Sequence, residues 1–182
     1  AFLYEAQKMD VAILVYGDPM AATTHIAIVD EAKKSGIKLR VIHNASIFDA
    51  ISDTGLQIYK FGKTASMPKW DAKKNFTPES FMEVVKENQS INAHTLILVD
   101  IGLEFTRALE QLKISAKNQD VQLGKILTCQ QLGSKYQRII YGTILQVAEQ
   151  GKIHAPFCLI IPGKLHFVEK EFLKNFEGEL IQ

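Results

Sequence analysis

Long apolar runs are missing from this 182-residue chain. The longest, such as residues 11–16 and 157–162, are far too short to span a bilayer, so no membrane association is expected. No basic segment leads into an apolar one near the start, so no signal peptide is visible. Charge of one sign is scarce as well. A net charge of +1 removes any broad electrostatic case for nucleic acid or an anionic membrane, so a macromolecular partner must be recognised by a local surface. Cysteine is limited to Cys129 and Cys158, both inside apolar strand-like runs, which reads as buried reduced thiols of a cytosolic protein. Their spacing does not suit zinc, and no metal site is expected. There is no Gly-x-Ser-x-Gly elbow, no phosphate-binding Walker loop, no repeat and no low-complexity tract.

What is present is ordinary globular material, 47% hydrophobic and 23% charged. That is enough for one sizeable domain or two small ones sharing a cleft. The chain opens Ala-Phe-Leu-Tyr, without methionine, and reaches a strong strand pattern within ten residues. The expectation is therefore a chain whose N-terminal part is missing.

The opening reads strand, loop, helix, strand. Val11-Ala-Ile-Leu-Val-Tyr16 is continuously apolar, as a strand covered on both faces would be. Gly17-Asp18-Pro19 breaks it. Ile26, Val29 and Ala32 have helical spacing, with lysines in the last turn and Gly36 as the stop, giving a helix over residues 24–34. Leu39-Arg-Val-Ile42 is the next expected strand, and the two strands around one helix predict a right-handed parallel crossover. After Ser46 the pattern expects a short helix or turn at 47–52, strands at 57–61 and 64–67 joined through Gly62-Lys63, and a helix opened by Thr77-Pro78-Glu79. Strands follow at 94–100, 126–130, 138–143 and 157–161, with helices at 105–114 and 167–176. The boundary falls near residues 46–55, which predicts the C-terminal part of a first α/β domain over 1–48 and a second α/β domain over 49–182.

The loop from Gly17 to His25 follows a predicted strand end, where open α/β sheets place ligands. Asp18 there could meet a cation or a hydroxyl, or could simply cap a tight turn. His25, His43 and His166 are read first as structural rings bonded to loop groups. His94 is read as packing or capping, Asp100 as satisfying loop N–H groups, and Trp70 as a surface aromatic.

Gly17-Asp-Pro-Met-Ala-Ala-Thr-Thr-His25 resembles the signature loop of the diphthine synthases. Val41-Ile-His-Asn-Ala-Ser46, Gly55-Leu-Gln-Ile-Tyr-Lys-Phe-Gly62 with Thr64-Ala-Ser-Met67, and His94-Thr-Leu-Ile-Leu-Val-Asp100 resemble further segments in order. So do Leu132-Gly-Ser134 with Gln137 and Gly142-Thr143, and Ile161-Pro-Gly-Lys-Leu-His166 with Glu169. The resemblance implies a two-domain tetrapyrrole methylase-like α/β fold, incomplete in its first domain, and usually a homodimer. It implies S-adenosylmethionine as cofactor, leaving as S-adenosylhomocysteine. The implied substrate is the aminocarboxypropyl-histidine of translation elongation factor 2, on the route to diphthamide, in the cytoplasm and with no direct nucleic-acid partner. The positions that match family cofactor contacts are Asp18, Ala21, Ser46, Ile47, Val99, Leu132 and Phe157. Relatives usually carry histidine where this chain has Phe157, so a main-chain contact is expected there. No catalytic side chain is singled out. The sulfonium methyl is already electrophilic, and the protein must hold it about 3–3.5 Å from a neutral amine. Asp18, His25 and His43 are candidates to take the amine's proton. Lys164 is the candidate to hold the substrate carboxylate, on the expectation that its turn lies beside the cofactor.

Two other readings remain open at this stage. One is a methyltransferase of the same fold acting on a tetrapyrrole or ribosomal RNA. The other is a non-catalytic chain that only binds its protein partner.

Overall fold

A computed structural model describes residues 2–178, which divide into two compact units between Ala50 and Ile51. The first unit holds three helices: α1 (Phe2–Ala6), α2 (Ile26–Lys34) and α3 (Ile47–Ala50). Helix α2 ends as its sequence predicts. Gly36 takes φ +68°, Ile37 N–H donates to Ala32 O at 2.9 Å and Gly36 N–H donates to Lys33 O at 3.1 Å, the two bonds of a Schellman stop. Its start lies at Ile26 rather than Thr24.

The expected crossover is absent among the described residues of this unit. Residues 11–16 and 39–42 form no ladder, and their side chains are open, with Leu14 95% and Ile42 73% exposed. A continuous apolar run becomes a strand only where neighbours pair with it and cover both faces. Nothing in this unit does so for either run.

The second unit is built on a five-stranded mixed sheet. Its elements are β1 (Ala65–Met67), α4 (Ser80–Ser90), β2 (Thr95–Val99), α5 (Phe105–Asn118), β3 (Ile126–Gln130), β4 (Arg138–Gly142), α6 (Ile144–Glu149), β5 (Phe157–Ile161) and α7 (Phe167–Leu173). The strand order is β1-β2-β5-β3-β4. β1 and β2 are parallel, and β5 runs antiparallel to both β2 and β3. One face packs Ile97, Leu159, Ile126 and Ile140 against Phe81 and Val85 of α4 and Ala108 and Leu112 of α5. Ala108, Leu112 and Ala116 recur at helical spacing, so α5 lays one apolar stripe on the sheet. Successive strand residues point to opposite faces, and β3 is buried at all five positions, so both of its faces are covered. Burying each large aliphatic side chain there is worth about 1.5–3 kcal/mol.

Three local expectations change in this unit. Residues 57–61 do not form a strand: Ile58–Lys60 is a 3-10 turn, with one parallel bridge from Phe61 to His94. A Cβ at Gly62 would strike the Asn88 side chain, which accepts from Lys63 N–H and donates to Lys63 O, so the chain is pinned to α4 rather than folded back as a hairpin. Helix α4 begins at Ser80, not Thr77, because Pro78 O accepts from the Trp70 indole at 3.0 Å and Glu79 becomes the cap position. Trp70 is thereby a structural anchor.

Behind the sheet's lower end, the start of β2 and the end of β5, lies a buried ionic cluster. Glu169 and His94 are fully buried, and Lys60 is largely so. Glu169 Oε2 accepts from Lys60 Nζ at 2.5 Å and from His166 N–H at 2.6 Å, while Oε1 accepts from Gln57 N–H at 3.0 Å. His94 Nδ1 accepts from Gly163 N–H at 2.9 Å, which puts the ring proton on Nε2, donating to Glu169 Oε1 at 3.1 Å. Burial pushes the Glu169 carboxyl up, but Lys60, the two backbone N–H groups and His94 outweigh it and hold the pKa at about 2. Burial drives the His94 pKa down, against the pull of Glu169, and keeps the ring neutral.

Candidate functional site

The candidate residues of the first unit sit on two loops. Gly17 turns the chain with φ +80° after residues 11–16. Asp18 follows, and its side chain is 10% exposed. Asp18 Oδ1 accepts from Met20 N–H at 2.7 Å, and Oδ2 accepts from His43 Nδ1 at 2.9 Å and Asn44 N–H at 3.2 Å. The Met20 N–H first, then His43, hold the carboxyl below the usual carboxylate range. Asp18 is therefore the tie between the Gly-Asp-Pro loop and the 43–46 loop. Ala21 continues the first loop, half-buried, and Ala22 after it takes φ +53°. Ser46 precedes α3 and donates through N–H and Oγ to Asp49 Oδ2 at 2.9 and 2.8 Å, which sets Ile47 as the first residue of the helix. His25 Nδ1 donates to Pro19 O at 2.7 Å, the structural role expected of it. Of the three residues considered as proton acceptors, Asp18 and His43 are bonded to each other.

The candidates of the second unit gather at one end of its sheet. Val99 is the last residue of β2, Phe157 the first of β5, and Leu132 lies two residues beyond the end of β3. β5 opposes its neighbours, so its start meets their ends. Phe157 pairs with Gln130, Cys158 with Leu98, and Gln131 N–H donates to Pro156 O at 2.9 Å. All three candidates are half-buried and apolar. The Phe157 ring packs edge-on against Phe105, with centroids 5.6 Å apart. That ring is committed to the core, which leaves the main chain of Phe157 as its free contact surface. At the same end, Gln130 pairs across to Arg138, and an open cleft of about 560 Å³ is lined by Gln130, Tyr136, Arg138 and His154 among others.

Lys164 is not at this end. It follows Ile161, the last residue of β5, and its N–H donates to Asn92 O at 3.3 Å. A five-residue strand at about 3.3 Å per residue separates it from Phe157, so its turn does not lie beside Phe157. His166 likewise lies away from this end: the residue is exposed, its N–H donates to the buried Glu169 at 2.6 Å, and its Nδ1 accepts from Val168 N–H at 3.4 Å at the start of α7. Asp100 accepts from Lys69 N–H at 3.2 Å, as read from sequence. Cys129 and Cys158 are free, buried and paired across β3 and β5, and the Cys158 neighbour followed by burial pushes the Cys129 thiol well up, so Cys129 is not a reactive thiolate. Among the described residues no helix is long and apolar enough to cross a membrane.

Comparison with known proteins gives the family. Residues 2–148 match the Tetrapyrrole (Corrin/Porphyrin) Methylases. A Methanocaldococcus jannaschii diphthine synthase is 38% identical over 185 residues, covering 93% of this chain and 70% of the relative. An Arabidopsis thaliana protein named a probable diphthine methyl ester synthase is 37% identical over 200 residues, covering 95% and 71%. The chain belongs to the diphthine synthases. A crystal structure of a diphthine synthase superposes with a TM-score of 0.83 at 31% identity, over 97% of this chain and 69% of that one. An Entamoeba histolytica structure described provisionally as a diphthine synthase gives 0.89 at 32% identity, over 98% and 75%. The diphthine synthase fold is thus shared along nearly the whole chain, and the activity class that goes with the family is methyl transfer.

Two features of the site went unread in the residue pattern. The Asp18–His43 pair joins residues 25 apart, and Arg138 reaches the Phe157 end only through strand pairing. For Arg138, the signal available was its place at the start of a predicted strand opposite residues 126–130.

Proposed function

We propose that this chain is an S-adenosylmethionine-dependent protein methyltransferase acting on the aminocarboxypropyl-histidine of translation elongation factor 2. The observation that carries the reading is the collinear match to diphthine synthases, 37–38% identical over at least 93% of the chain. Bound S-adenosylmethionine supplies an electrophilic methyl. The residues fit such a group: Val99 and Leu132 are half-buried and apolar, as an adenine face needs, and Phe157 offers its main chain beside them. Asp18, Ala21, Ser46 and Ile47 give a tied pair of loops in which small side chains leave backbone groups open to a ligand.

This chain's own work is positioning. The Asp18 bonds fix the Gly-Asp-Pro loop within the first unit, and the strand pairing fixes the main chain at Phe157 within the second, and near-attack chemistry needs binding elements held this firmly. The attacking amine must be neutral, and in this reading the exposed His43 ring, held by Asp18, takes up its proton. The enzyme acts in the cytoplasm as a homodimer in this reading.

The test is incubation with elongation factor 2 carrying the aminocarboxypropyl-histidine and with S-adenosylmethionine. Mass spectrometry should show the factor gaining mass in methyl increments, and the number of increments reports whether a methyl ester follows the methylated amine. A factor of unchanged mass, with cofactor binding confirmed by calorimetry, would overturn the reading in favour of a partner-binding role.

A further inference from the structure

The cleft beside the Phe157 end has a wall already spent on itself. Gln130 Nε2 donates to Tyr136 O at 2.9 Å and its Oε1 accepts from His154 N–H at 2.7 Å. Gln131 Nε2 donates to Ala155 O at 2.7 Å, and Gln137 Nε2 donates to Asp53 Oδ2 at 2.9 Å. These bonds hold three loop segments rigid without leaving the amides free to bind a ligand. Arg138 is different. It is half-buried, and its described bond is Nη2–H to Gln150 O at 2.8 Å, one of the five N–H groups a guanidinium carries. Arg107, by contrast, is paired with Glu110 at 2.7 Å, and no carboxylate among the described residues forms an ion pair with Arg138. A fixed, half-buried cation in an open cleft is a site for an anion.

Its position narrows the anion. Arg138, Gln130 and Phe157 pair in one row across β4, β3 and β5, so their side chains leave the same face at the same end of the sheet. Arg138 stands two strand spacings from Phe157, roughly 10 Å. That is the span of an extended arginine meeting a short amino-acid side chain. We propose that Arg138 holds the carboxylate of the substrate's aminocarboxypropyl group, and that this cleft admits the modified side chain. This rests on the proposed function and adds the residue that selects the substrate. The guanidinium fork matches a carboxylate with two parallel hydrogen bonds. Fixing the carboxylate on one side of the carbon that bears the amine turns the amine toward Val99, Leu132 and the main chain of Phe157. The job first assigned to Lys164 passes to Arg138, because Lys164 lies at the other end of β5.

The experiment measures methyl transfer by the full chain to elongation factor 2 carrying the aminocarboxypropyl-histidine, for the parent, Arg138→Met, Arg138→Lys and Lys164→Met. Arg138→Met should raise KM for the modified factor at least tenfold while S-adenosylmethionine affinity by calorimetry stays within twofold. Arg138→Lys should recover part of the loss, and Lys164→Met should match the parent. The parent should also discriminate at least tenfold against a factor whose aminocarboxypropyl acid is a primary carboxamide, and Arg138→Met should lose that discrimination. An Arg138→Met KM equal to the parent's overturns the proposal. If that variant fails to fold, equal parent KM values for acid and carboxamide overturn it on their own. A parent that binds cofactor but transfers no methyl to the acid form overturns the proposed function itself, and this assignment with it.

Discussion

The two units carry similar apolar runs and treat them in opposite ways. In the second, residues 126–130 and 157–161 become central strands, paired on both sides and buried. In the first, the equally apolar residues 11–16 form no ladder among the described residues and leave Leu14 and Tyr16 in the open. Composition does not separate the two cases. What separates them is the presence of partner strands, since a strand gains its hydrogen bonds and its buried faces only from neighbours. The second unit should therefore respond to mutation as a packed core does, and the first as a surface does.

The sharpest break should come at the buried ionic cluster. Glu169→Ala removes the one carboxylate that answers Lys60, His94 and two backbone N–H groups, and should destabilise the second unit by about 3–5 kcal/mol in chemical denaturation. A loss below about 1 kcal/mol would show that the cluster is dispensable. The same groups set an acid limit. The His94 pKa is lowered in the fold, so its contribution is complete above the free value near 6.5 and is lost as pH falls below it. Glu169 is lowered to about 2, so its contribution fades from about pH 4.5 downward. Stability measured against pH should fall in two stages, first below 6.5 and then below 4.5. Glu169→Ala should lack the second.

The direct comparison between units is a matched pair. Leu112→Ala, in the fully buried stripe of α5, should cost about 2–5 kcal/mol, whereas Leu14→Ala should change stability by less than about 0.5 kcal/mol. Similar costs for both would mean that residues 11–16 are covered in solution.

A smaller effect is expected at Asp18. Removing its carboxylate unties the Gly-Asp-Pro loop from Asn44 and His43, so Asp18→Ala should weaken S-adenosylmethionine binding about tenfold, roughly 1.4 kcal/mol by calorimetry. Unchanged affinity in a folded variant would take Asp18 out of the site. The smallest shift belongs to Phe157→His, which should move cofactor affinity less than tenfold because the Phe157 ring packs on Phe105 and the main chain remains. A larger gain would show that the side chain makes the contact.

Much of the second unit was legible in the residues. Residues 126–130 and 157–161 coincide with β3 and β5, and the spacing of Ala108, Leu112 and Ala116 announces α5. Residues 57–61 misled because Ile58, Tyr59 and Phe61 are residue types that favour strands, while the close contact of Gly62 with Asn88 and the Phe61 bridge to His94 shape them into a turn. The site was legible mainly as motif. Asp18, Ser46, Val99, Leu132 and Phe157 were named from a resemblance, and no periodicity would have singled them out.

The sequence by itself determined the local matters: where helices stop, as at Gly36, which runs are apolar, and which family the ordered motifs belong to. Tertiary structure alone decided the rest. The antiparallel pairing of β5 with β2 and β3 brings the start of one strand to the ends of two others. That reversal sets Phe157 beside Gln130, brings Arg138 to the same row, and sends Lys164 to the far end. Strand pairing is a long-range choice among many apolar partners of similar chemistry, and side-chain pattern along one segment carries no information about which partner lies opposite.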